Sequence, residues 1–501
     1  MSKKMAIIDL GSNTSRMLII EVTDRGAYHL AEEDKGVVRL SEDMLPGGDI
    51  KRPAFKRAAQ AMKLFKGVCD NHNVTKVIAV ATAAVREATN QKEFLDFLAS
   101  DAGIEFKVLS RQEEPYYGYL GVINTVDLRD GIIMDMGGGS TEITLVKDRK
   151  MVNSTSIPYG ALNLTEKFLD NDKPKDSQLK DLEAFVRQKL SEIPWLASCQ
   201  GMQLIGIGGT MRSIARINQR MVDYQFDELH NYFMDPSEVS TVYGRLKGMS
   251  VKERMGVPGL SKDRADIILA GVLAISTVIK FLKVPVIRVS SSGLRDGLFF
   301  HDHLSEPIVN DITTFSLENV SRLYRVDEAH AWHVMELSRG LFEELKDEGR
   351  LKGDEWRILR AAALLHEVGY YYDFGKRYNN TFYNILDNPI YGFTHMENYK
   401  TALVAAHFGA GGIKGRSVFF ETHLNKDAMR AIRKLSVILA LADALDRSRK
   451  GLVKSVKCHN SLNSIELEPA HNGDILIEAL SVEELSVFFK KAFDKDLIVS
   501  S

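Results

Sequence analysis

The sequence contains few cysteines and no long apolar segment. Its 501 residues include three cysteines, Cys69, Cys199 and Cys458, which lie far apart. A small, odd and dispersed set forms neither a disulfide framework nor a zinc site, and it is typical of a reducing compartment. No uninterrupted apolar run approaches the length of a membrane span, and the first residues, MSKKMAIIDL, lack a signal-peptide pattern. We therefore expect a cytoplasmic protein with no membrane partner.

The net charge is also small. The 65 basic and 67 acidic residues give a formal charge of −2 at pH 7, which argues against a chain that binds nucleic acid over its whole surface. With 45% hydrophobic and 26% charged residues the composition is ordinary for a globular protein, and the length allows three or four domains. We predict no nucleic-acid partner.

The rest of the chain is organised around the segment 132–145, IIMDMGGGSTEITL, which reads as a strand, a glycine turn and a returning strand. Asp135 stands at the end of the first strand. The turn and the start of the return consist of Gly137, Gly138, Gly139, Ser140, Thr141 and Glu142. Amides of such a turn can form a concave donor site for phosphate oxygens, and a neighbouring carboxylate can hold a hydrated Mg2+. A tight hairpin without a ligand is the alternative for one such turn.

A second copy of this pattern lies near the N-terminus. The segment 5–20, MAIIDLGSNTSRMLII, places Asp9 at a strand end. Its turn contains Gly11, Ser12 and Asn13. Two equivalent units predict a duplicated architecture, in which the two turns face each other across a cleft. A third glycine turn, LIGIGGT, contains Gly208 and Gly209.

Strand and helix patterns alternate along the first 126 residues, which predicts an α/β domain. Ligands of such domains bind at the carboxyl ends of the strands, where Asp9, Arg86 and Asp135 all fall. Arg86 follows the strand pattern VIAVATAAV directly, and its guanidinium fork suits phosphate. A surface arginine is the alternative interpretation of this residue.

A longer series of motifs resembles the exopolyphosphatase/guanosine pentaphosphate phosphohydrolase (Ppx/GppA) family of the actin-like ATPase superfamily. Over about residues 1–300 the motifs are, in order, DLGSNTSRMLI, ATAAVREATN, the Glu113–Glu114 pair after VLSRQ, DMGGGSTEI, PYGALNLTE, GIGGT, PGLSKDRADIILAG and SSSGLRDG. The resemblance implies two actin-like (ribonuclease-H-like) α/β lobes that face each other across a cleft. The longer exopolyphosphatases are the most similar members, and they pair through their C-terminal portions, which implies a homodimer.

The resemblance also implies a reaction, the hydrolysis of the terminal phosphoanhydride of inorganic polyphosphate. The glycine turns would hold the terminal phosphoryl group. Asp135, with Asp9 and Glu142, would hold Mg2+ (or Mn2+), and a monovalent cation is a further candidate cofactor. Arg86 would stabilise charge on the transferred group, and Glu114 would deprotonate the attacking water. Pro115 follows Glu114 where the family usually has alanine, at a helix start that tolerates proline.

Other readings of these residues stay open at this point. Guanosine pentaphosphate ends in the same phosphoanhydride, so guanosine penta- or tetraphosphate is an alternative substrate or an inhibitor. An actin-like kinase or ATPase would need an adenosine pocket after GIGGT. A sensor that binds polyphosphate or the guanosine phosphates without turnover would use the same turns.

After about residue 311 the patterns are mainly helical. His330, His333, the pair His366–Glu367 and Asp443 resemble the metal-dependent HD phosphohydrolase domain, which longer members of the family carry in reduced form. That domain uses an adjacent His–Asp pair, and the longer glutamate would displace the ligand oxygen from a metal. We therefore expect no working second metal centre, and we interpret His395 and His407 as ordinary core or surface residues.

The helical part is locally basic. Between residues 401 and 457 eleven basic residues oppose four acidic ones, a balance of +7. Four of them share one helical face and form a candidate polyphosphate track, although a solvated face is the alternative. They are Lys426, Arg430, Arg433 and Lys434. The predicted domains are lobe I (1–125), lobe II (126–310), the HD-like domain (311–452) and a small α+β domain (453–501), with DILIEAL read as a strand and one helix over 483–493.

Overall fold

The computed structural model describes residues 2–41, 44, 48–169, 172–371, 373–407 and 424–500. The chain forms two compact units. The first comprises Met1–Asp24 with Tyr28–Ile312, and the second comprises Arg25–Ala27 with Thr313–Ser501. None of the helices described is both long enough and apolar enough to cross a membrane.

The first sheet of the first unit has the strand order β3-β2-β1-β4-β5. Its strands are β1 (Lys3–Leu10), β2 (Thr14–Val22), β3 (Tyr28–Val37), β4 (Lys76–Ala81) and β5 (Lys107–Val108), and its helices are α1 (Arg52–Asn71), α2 (Ala83–Glu87), α3 (Gln91–Ala102) and α4 (Glu113–Ile123). β1 runs antiparallel to β2 and parallel to β4. The consecutive residues Ala6, Ile7 and Ile8 of β1 are all fully buried. A strand with helices on both sides requires such an unbroken apolar run.

The second sheet has the order β10-β11-β9-β6-β7-β8. Its strands are β6 (Gly131–Met136), β7 (Thr141–Lys147), β8 (Lys150–Ile157), β9 (Leu204–Ile207), β10 (Tyr232–Met234) and β11 (Ile287–Val289). The helices of this region are α5 (Ala161–Phe168), α6 (Asp176–Ser191), α7 (Gly208–Met221), α8 (Pro236–Lys247), α9 (Val251–Arg254), α10 (Ile268–Leu282) and α11 (Leu294–His303). Apart from the edge strand β10, this is the topology of the first sheet repeated.

The two hairpins that begin each sheet are equivalent in detail. The amide of Gly11 donates to the carbonyl of Thr14 at 3.2 Å, and the amide of Gly137 donates to the carbonyl of Ser140 at 3.0 Å. Each hairpin joins the central strand of its sheet to the antiparallel neighbour. The predicted duplication into two actin-like lobes is confirmed.

Helix α11 packs against α4 and against β1 of the first sheet. Helix α4 in turn contacts β6, β7 and β8 of the second sheet, so this pair of helices links the two lobes. The predicted boundary between lobe I and lobe II stays a prediction.

The second unit is mainly helical, as predicted, and contains a small sheet of order β12-β13-β14. Its helices are α12 (Ile312–Leu323), α13 (Glu328–Gly349), α14 (Glu355–Leu365), α15 (Arg377–Asp387), α16 (His395–His407), α17 (Lys426–Ala444), α18 (Leu476–Glu483) and α19 (Ser486–Phe493). Its strands are β12 (Val453–Asn460), β13 (Ser464–His471) and β14 (Asp496–Val499).

The reading of DILIEAL as a strand is wrong, because this segment enters helix α18. The predicted helix over 483–493 is also divided, between α18 and α19. Ile475 and Val482 are buried seven residues apart, which is a helical spacing, whereas Ile477 is exposed. A short apolar run fits both periods, and only the packing partner decides between them.

Candidate active site

A cavity of about 140 Å³ lies in the first unit where the two hairpin turns meet. The turns approach so closely that side chains would collide between them. A Cβ on Gly139 would lie 2.7 Å from Ser12 Oγ, and one on Gly138 would lie 3.2 Å from Asn13 Cβ. A side chain at either glycine would have to push Ser12 or Asn13 aside, and the predicted facing of the two turns is confirmed.

Five carboxylates from both lobes line the cavity: Asp9, Glu114, Asp135, Glu142 and Asp296. Burial raises the pKa of Asp9 to about 6 and the pKa of Glu114 to about 7. It also raises the pKa of Asp135 and, with the neighbouring charges of Glu114 and Asp135, raises that of Glu142 well above its usual value. Asp9 Oδ1 is buried and, among the described residues, accepts no hydrogen bond. So many converging carboxylates are characteristic of a cation site.

Four arginines, which the sequence analysis did not name, line the same cavity: Arg16, Arg212, Arg264 and Arg295. Burial lowers the pKa of Arg212 to about 9 and the pKa of Arg264 to about 10, so both stay protonated at neutral pH. Arg16 and Arg295 each donate to Glu33 Oε1 at 3.2 Å. Their planar forks suit phosphate oxygens better than a lysine would.

Most of these arginines carried a signal in the sequence. Arg16 lies opposite Asp9 in the β1–β2 register. Arg212 stands early in α7, after the third glycine turn, and Arg295 stands at the start of α11, after β11. The strand-end argument that singled out Arg86 applies equally to these two. Arg264 follows no strand, so only the folded structure brings it to the cavity.

The third glycine turn holds acid and arginine close together. Gly208 has φ +81°, and a Cβ there would lie 2.2 Å from Asp135 Oδ1. A Cβ on Gly209 would lie 1.9 Å from Arg264 Nη2. Both glycines line the cavity, as the sequence analysis anticipated. Any larger residue would displace one of the two charged groups.

The turn of β6–β7 presents its amides to the cavity. The carbonyls of Gly137 and Gly138 accept hydrogen bonds from the amides of Ala161 and Leu162, at 3.0 and 2.9 Å. Within the described ranges, the amides of Gly138 and Gly139 make no hydrogen bond. The carbonyls are thus directed to α5, and the amides can bind an anion. Gly11, Ser12, Asn13 and Ser140 complete this part of the wall.

Two predicted site residues lie outside the wall. Arg86 is absent from the cavity lining that the described residues form. Its Nη1 donates to Glu114 Oε2 at 2.7 Å and to the carbonyl of Leu109 at 3.0 Å. Arg86 therefore orients the Glu114 carboxylate without lining the cavity itself. Thr141 is buried and donates through Oγ1 to the carbonyl of Tyr159 at 2.7 Å. Contact of either residue with phosphate stays a prediction.

Two ion pairs join the lobes beside the cavity. Lys35 on β3 pairs with Asp263, and Arg39 Nη2 lies 2.9 Å from Asp266 Oδ2. Both acids belong to the segment before α10. All four side chains are partly exposed, at 25–33%.

The predicted basic track lies on α17 in the second unit. Lys426, Arg430 and Arg433 are exposed. Arg430 Nη1 lies 3.0 Å from Asp427 Oδ1, and Lys434 Nζ donates to the carbonyl of Gly349 at 2.8 Å. Lys434 is therefore tied to α13. Lys414, Arg416 and Glu421, which contribute to the local charge balance, lie outside the described residues.

Without divalent metal, the free energy of unfolding is expected to fall as pH rises from about 5 to about 7. The folded-state pKa values of Asp9 and Glu114, about 6 and about 7, exceed their ordinary values of 3.8 and 4.5. The folded state therefore binds the proton more tightly in this window. The contribution is complete below the ordinary values and is lost as pH rises through the folded ones.

Urea unfolding of the chelator-treated protein at several pH values measures this dependence. Adding Mg2+ should remove most of the fall, because a bound cation replaces the protons. Stability that rises with pH over this window in the chelated protein would contradict the expectation.

Comparisons with known proteins agree with this geometry. The model of the Ppx/GppA phosphatase family matches residues 18–306, and the model of Ppx/GppA phosphatase domain III matches residues 312–480. An exopolyphosphatase from Cytophaga hutchinsonii is similar in structure, with 24% identity, a TM-score of 0.57, and coverage of 60% of this chain and 98% of that chain. The Ppx/GppA family member of Aquifex aeolicus has 26% identity, a TM-score of 0.51, and coverage of 60% and 98%.

Proposed function

The chain belongs to the Ppx/GppA phosphatase family, and on that premise we propose that it is an exopolyphosphatase. It hydrolyses the terminal phosphoanhydride of inorganic polyphosphate and releases orthophosphate. The observation that carries the proposal is the composition of the cavity wall, which combines glycine-turn amides, five carboxylates and four arginines. Such a wall suits a chain of phosphates held together with a divalent cation.

The carboxylates fit a divalent metal. Asp135, Asp9 and Glu142 are oxygen ligands in one buried place, and Asp9 Oδ1 accepts no hydrogen bond from the described residues. We propose that these three hold Mg2+ or Mn2+, directly or through water, and a monovalent cation stays a candidate beside it. The bound cation would neutralise charge on the phosphate oxygens and on the leaving group.

The protein groups divide the reaction between them. The amides of Gly138 and Gly139, with Ser12 and Asn13 opposite, hold the terminal phosphoryl group. Glu114 Oε2 is occupied by Arg86, so Oε1 is the atom that takes a proton from the attacking water. The water oxygen forms a bond to the terminal phosphorus as the anhydride bond breaks, which yields orthophosphate and a polyphosphate shorter by one unit.

The arginines support a substrate with several phosphates. Each further phosphate adds negative charge, and the cavity offers Arg16, Arg212 and Arg264 close to the metal-binding carboxylates. Their guanidinium groups bind the second and later phosphates and hold the leaving oxygen in line with the attacking water.

Guanosine pentaphosphate is the second candidate substrate, since the bond that breaks is the same. One observation favours polyphosphate. Within the described part of the chain, the cavity lining contains no aromatic side chain on which a guanine or adenine base could stack. Bases are commonly bound by stacking, so this wall suits a polymer without bases better than a nucleotide.

Phosphate release from long-chain polyphosphate, guanosine pentaphosphate and ATP, compared with Mg2+ at equal terminal-phosphate concentration, tests the proposal. We expect the highest kcat/KM with polyphosphate. Preference for guanosine pentaphosphate would show that the proposed substrate is wrong, while the proposed catalytic residues would stay the same. Release from ATP alone would indicate an ATPase or kinase, and binding without release from any of them would indicate a sensor.

The basic face of α17 is proposed to attract long chains. Reversing the charge of exposed Arg430 and Arg433 to glutamate is expected to raise KM for long-chain polyphosphate several-fold and to leave short chains nearly unchanged, because only long chains reach beyond the cavity. Added salt should reduce the difference. Lys346→Glu, which changes a partly exposed cation on α13 that pairs with Glu343, is the matched control. An unchanged KM for long chains in the double variant would refute the track.

We propose a homodimer in the cytoplasm. Exposed apolar side chains on the second unit support the dimer, since a solvent-facing apolar set is typical of an interface. They are Leu476, Ile477, Leu480, Val487 and Phe488 on α18 and α19. Sedimentation at micromolar concentration as a monomer would refute it. The free thiols of Cys69, Cys199 and Cys458 agree with a reducing compartment.

A further inference from the structure

Helix α5 begins directly against the glycine turn of β6–β7, and one of its side chains contacts that turn. Asn163, in the first turn of α5, donates through Nδ2 to the carbonyl of Gly139 at 3.0 Å. Its Oδ1 accepts from the amide of Gly160 at 2.7 Å. We propose that Asn163 is a positioning residue, which holds the amides of the turn toward a bound phosphate without contacting the phosphate itself. This role rests on the proposed function, because it requires the turn to bind a phosphoryl group.

Three successive carbonyls of the turn are anchored to the start of α5. The carbonyls of Gly137 and Gly138 accept from the first two amides of the helix, at 3.0 and 2.9 Å. The carbonyl of Gly139 comes next, and in the described part of the chain it accepts from the Asn163 side chain alone. The first amides of a helix have no partner within the helix, and here they bind the turn. Asn163 therefore extends this row of donors by one peptide.

Anchoring the carbonyls sets the direction of the amides. A trans peptide is planar, so its C=O and N–H bonds point in opposite directions. The three peptides that α5 holds end in the amides of Gly138, Gly139 and Ser140, and all three residues line the cavity. None of these amides makes a hydrogen bond to the residues that the structure describes. The Asn163 contact thus fixes the Ser140 amide and restrains the Gly139 amide beside it.

The two contacts of Asn163 need both ends of its side-chain amide. The amide of Gly160 only donates, so an oxygen must face it, whereas the carbonyl of Gly139 only accepts, so a nitrogen must face it. An aspartate at position 163 could make the first contact but not the second. Gly160 contributes by allowing the close approach, since a Cβ there would lie 2.5 Å from the carbonyl oxygen of Gly138.

The equivalent turn of the first lobe is anchored in a similar way. The carbonyl of Ser12 accepts from the amide of Leu40 at 2.7 Å, and that of Asn13 accepts from the amide of Arg39 at 2.9 Å. In each lobe the donors come from the segment that follows the third strand of the sheet, β3 in one and β8 in the other. The second lobe obtains one of its donors from a side chain, and this is a contact that a substitution can remove.

Two substitutions remove the donor to Gly139 in different ways. Asn163→Asp keeps the acceptor for Gly160 and places an acid in the first turn of a helix, where it is favourable, so Tm should stay close to that of the wild type. Asn163→Ala adds no charge that could repel phosphate. Both variants should lower kcat/KM for polyphosphate about 10- to 100-fold, because small displacements of a positioned group are costly. Phosphate release is measured well below Tm, after circular dichroism has established that each variant is folded.

Gln178 provides the matched control. It is the third residue of α6, and its Oε1 accepts from the amide of Lys175 at 2.9 Å, as Asn163 does at the start of α5. Gln178→Glu and Gln178→Ala therefore make the same chemical changes at a helix start that does not line the cavity. Both should keep kcat/KM within about twofold of the wild type, as is usual for surface substitutions. Equal losses at the two positions would indicate helix capping alone and would overturn the proposal.

A binding measurement separates this role from the proposed reaction. Calorimetry with tripolyphosphate and Mg2+, on proteins that also carry Glu114→Gln to prevent turnover, should show an affinity about 10-fold lower or weaker still in both Asn163 variants. Wild-type kcat/KM in either Asn163 variant would overturn the positioning role and leave the exopolyphosphatase proposal intact. A wild type that releases no phosphate from polyphosphate would refute the proposed function instead. In that case unchanged tripolyphosphate affinity in the Asn163 variants, or no binding by any of the proteins, would overturn the role of Asn163 as well.

Discussion

Glu114→Gln is expected to lower kcat for polyphosphate about 100- to 10,000-fold, the range typical of losing a general base. The amide keeps the shape of the side chain and the hydrogen bond to Arg86 Nη1, but it cannot take a proton from water. Substrate binding should change little. Initial rates of phosphate release measured over a range of polyphosphate concentrations separate kcat from KM.

The pH dependence gives a second, independent readout. Burial raises the pKa of Glu114 to about 7 in the protein without metal, and a nearby cation draws the value down. kcat/KM of the wild type should therefore rise with pH as Glu114 loses its proton. The residual activity of Glu114→Gln should lack this rise.

Glu113→Gln provides the matched control. Glu113 is the adjacent residue on α4, but its carboxylate accepts from Lys107 Nζ at 2.6 Å and from the amide of Ser110 at 2.9 Å, outside the cavity. Its kcat should stay within about twofold of the wild type, as expected of a surface charge. Equal losses in the two variants, or none at position 114, would contradict the assignment of the base.

Asp135→Asn is expected to lower the apparent affinity of the protein for Mg2+ by at least about 100-fold. Asp135 is the carboxylate at the end of the central strand β6, and a neutral amide is a poor ligand for a hard cation. The apparent affinity for Mg2+, measured from phosphate release and from calorimetry, should fall together with kcat/KM.

Although Asp135→Asn is expected to weaken metal binding, it is expected to stabilise the folded protein when no metal is present. Because burial raises the pKa of Asp135, its ionised form is unfavourable in the folded protein without metal. Asp135→Asn should therefore raise Tm of the chelated protein above that of the wild type at pH 8. Asp130→Asn, an exposed acid just before β6 that accepts from the amide of Asp148, should change neither property. Unaltered Mg2+ affinity in Asp135→Asn would contradict the metal assignment.

Local patterns predicted the parts of the site that are contiguous in sequence. The hairpins at Asp9 and Asp135 could be recognised because an acid, a glycine turn and two apolar strands follow one another in each. Helix α4, with Glu114 at its start, could also be placed, because its residues are contiguous in the sequence. These features depend on backbone geometry within about ten residues, and the order of apolar, acidic and glycine residues in the sequence indicates that geometry directly.

The remaining features depend on distances across the fold. Arg264 comes from the segment before α10, and Arg86 reaches Glu114 through an ion pair between separate helices. His330, His366 and Asp443 are joined by helices α13, α14 and α17 from widely separated parts of the chain. Lys434, predicted on a basic face, instead caps the carbonyl of Gly349. No local pattern encodes these contacts, because each depends on how helices pack against one another.

The ion pairs Lys35–Asp263 and Arg39–Asp266 make the two lobes responsive to the ionic strength of the solution. Any widening of the cleft beside them must separate both pairs. Each is partly exposed, so dissolved salt screens the attraction, and each contributes at most about 1 kcal/mol. Added salt is therefore expected to weaken both contacts between the lobes, in addition to the proposed attraction between the protein and a polyphosphate chain.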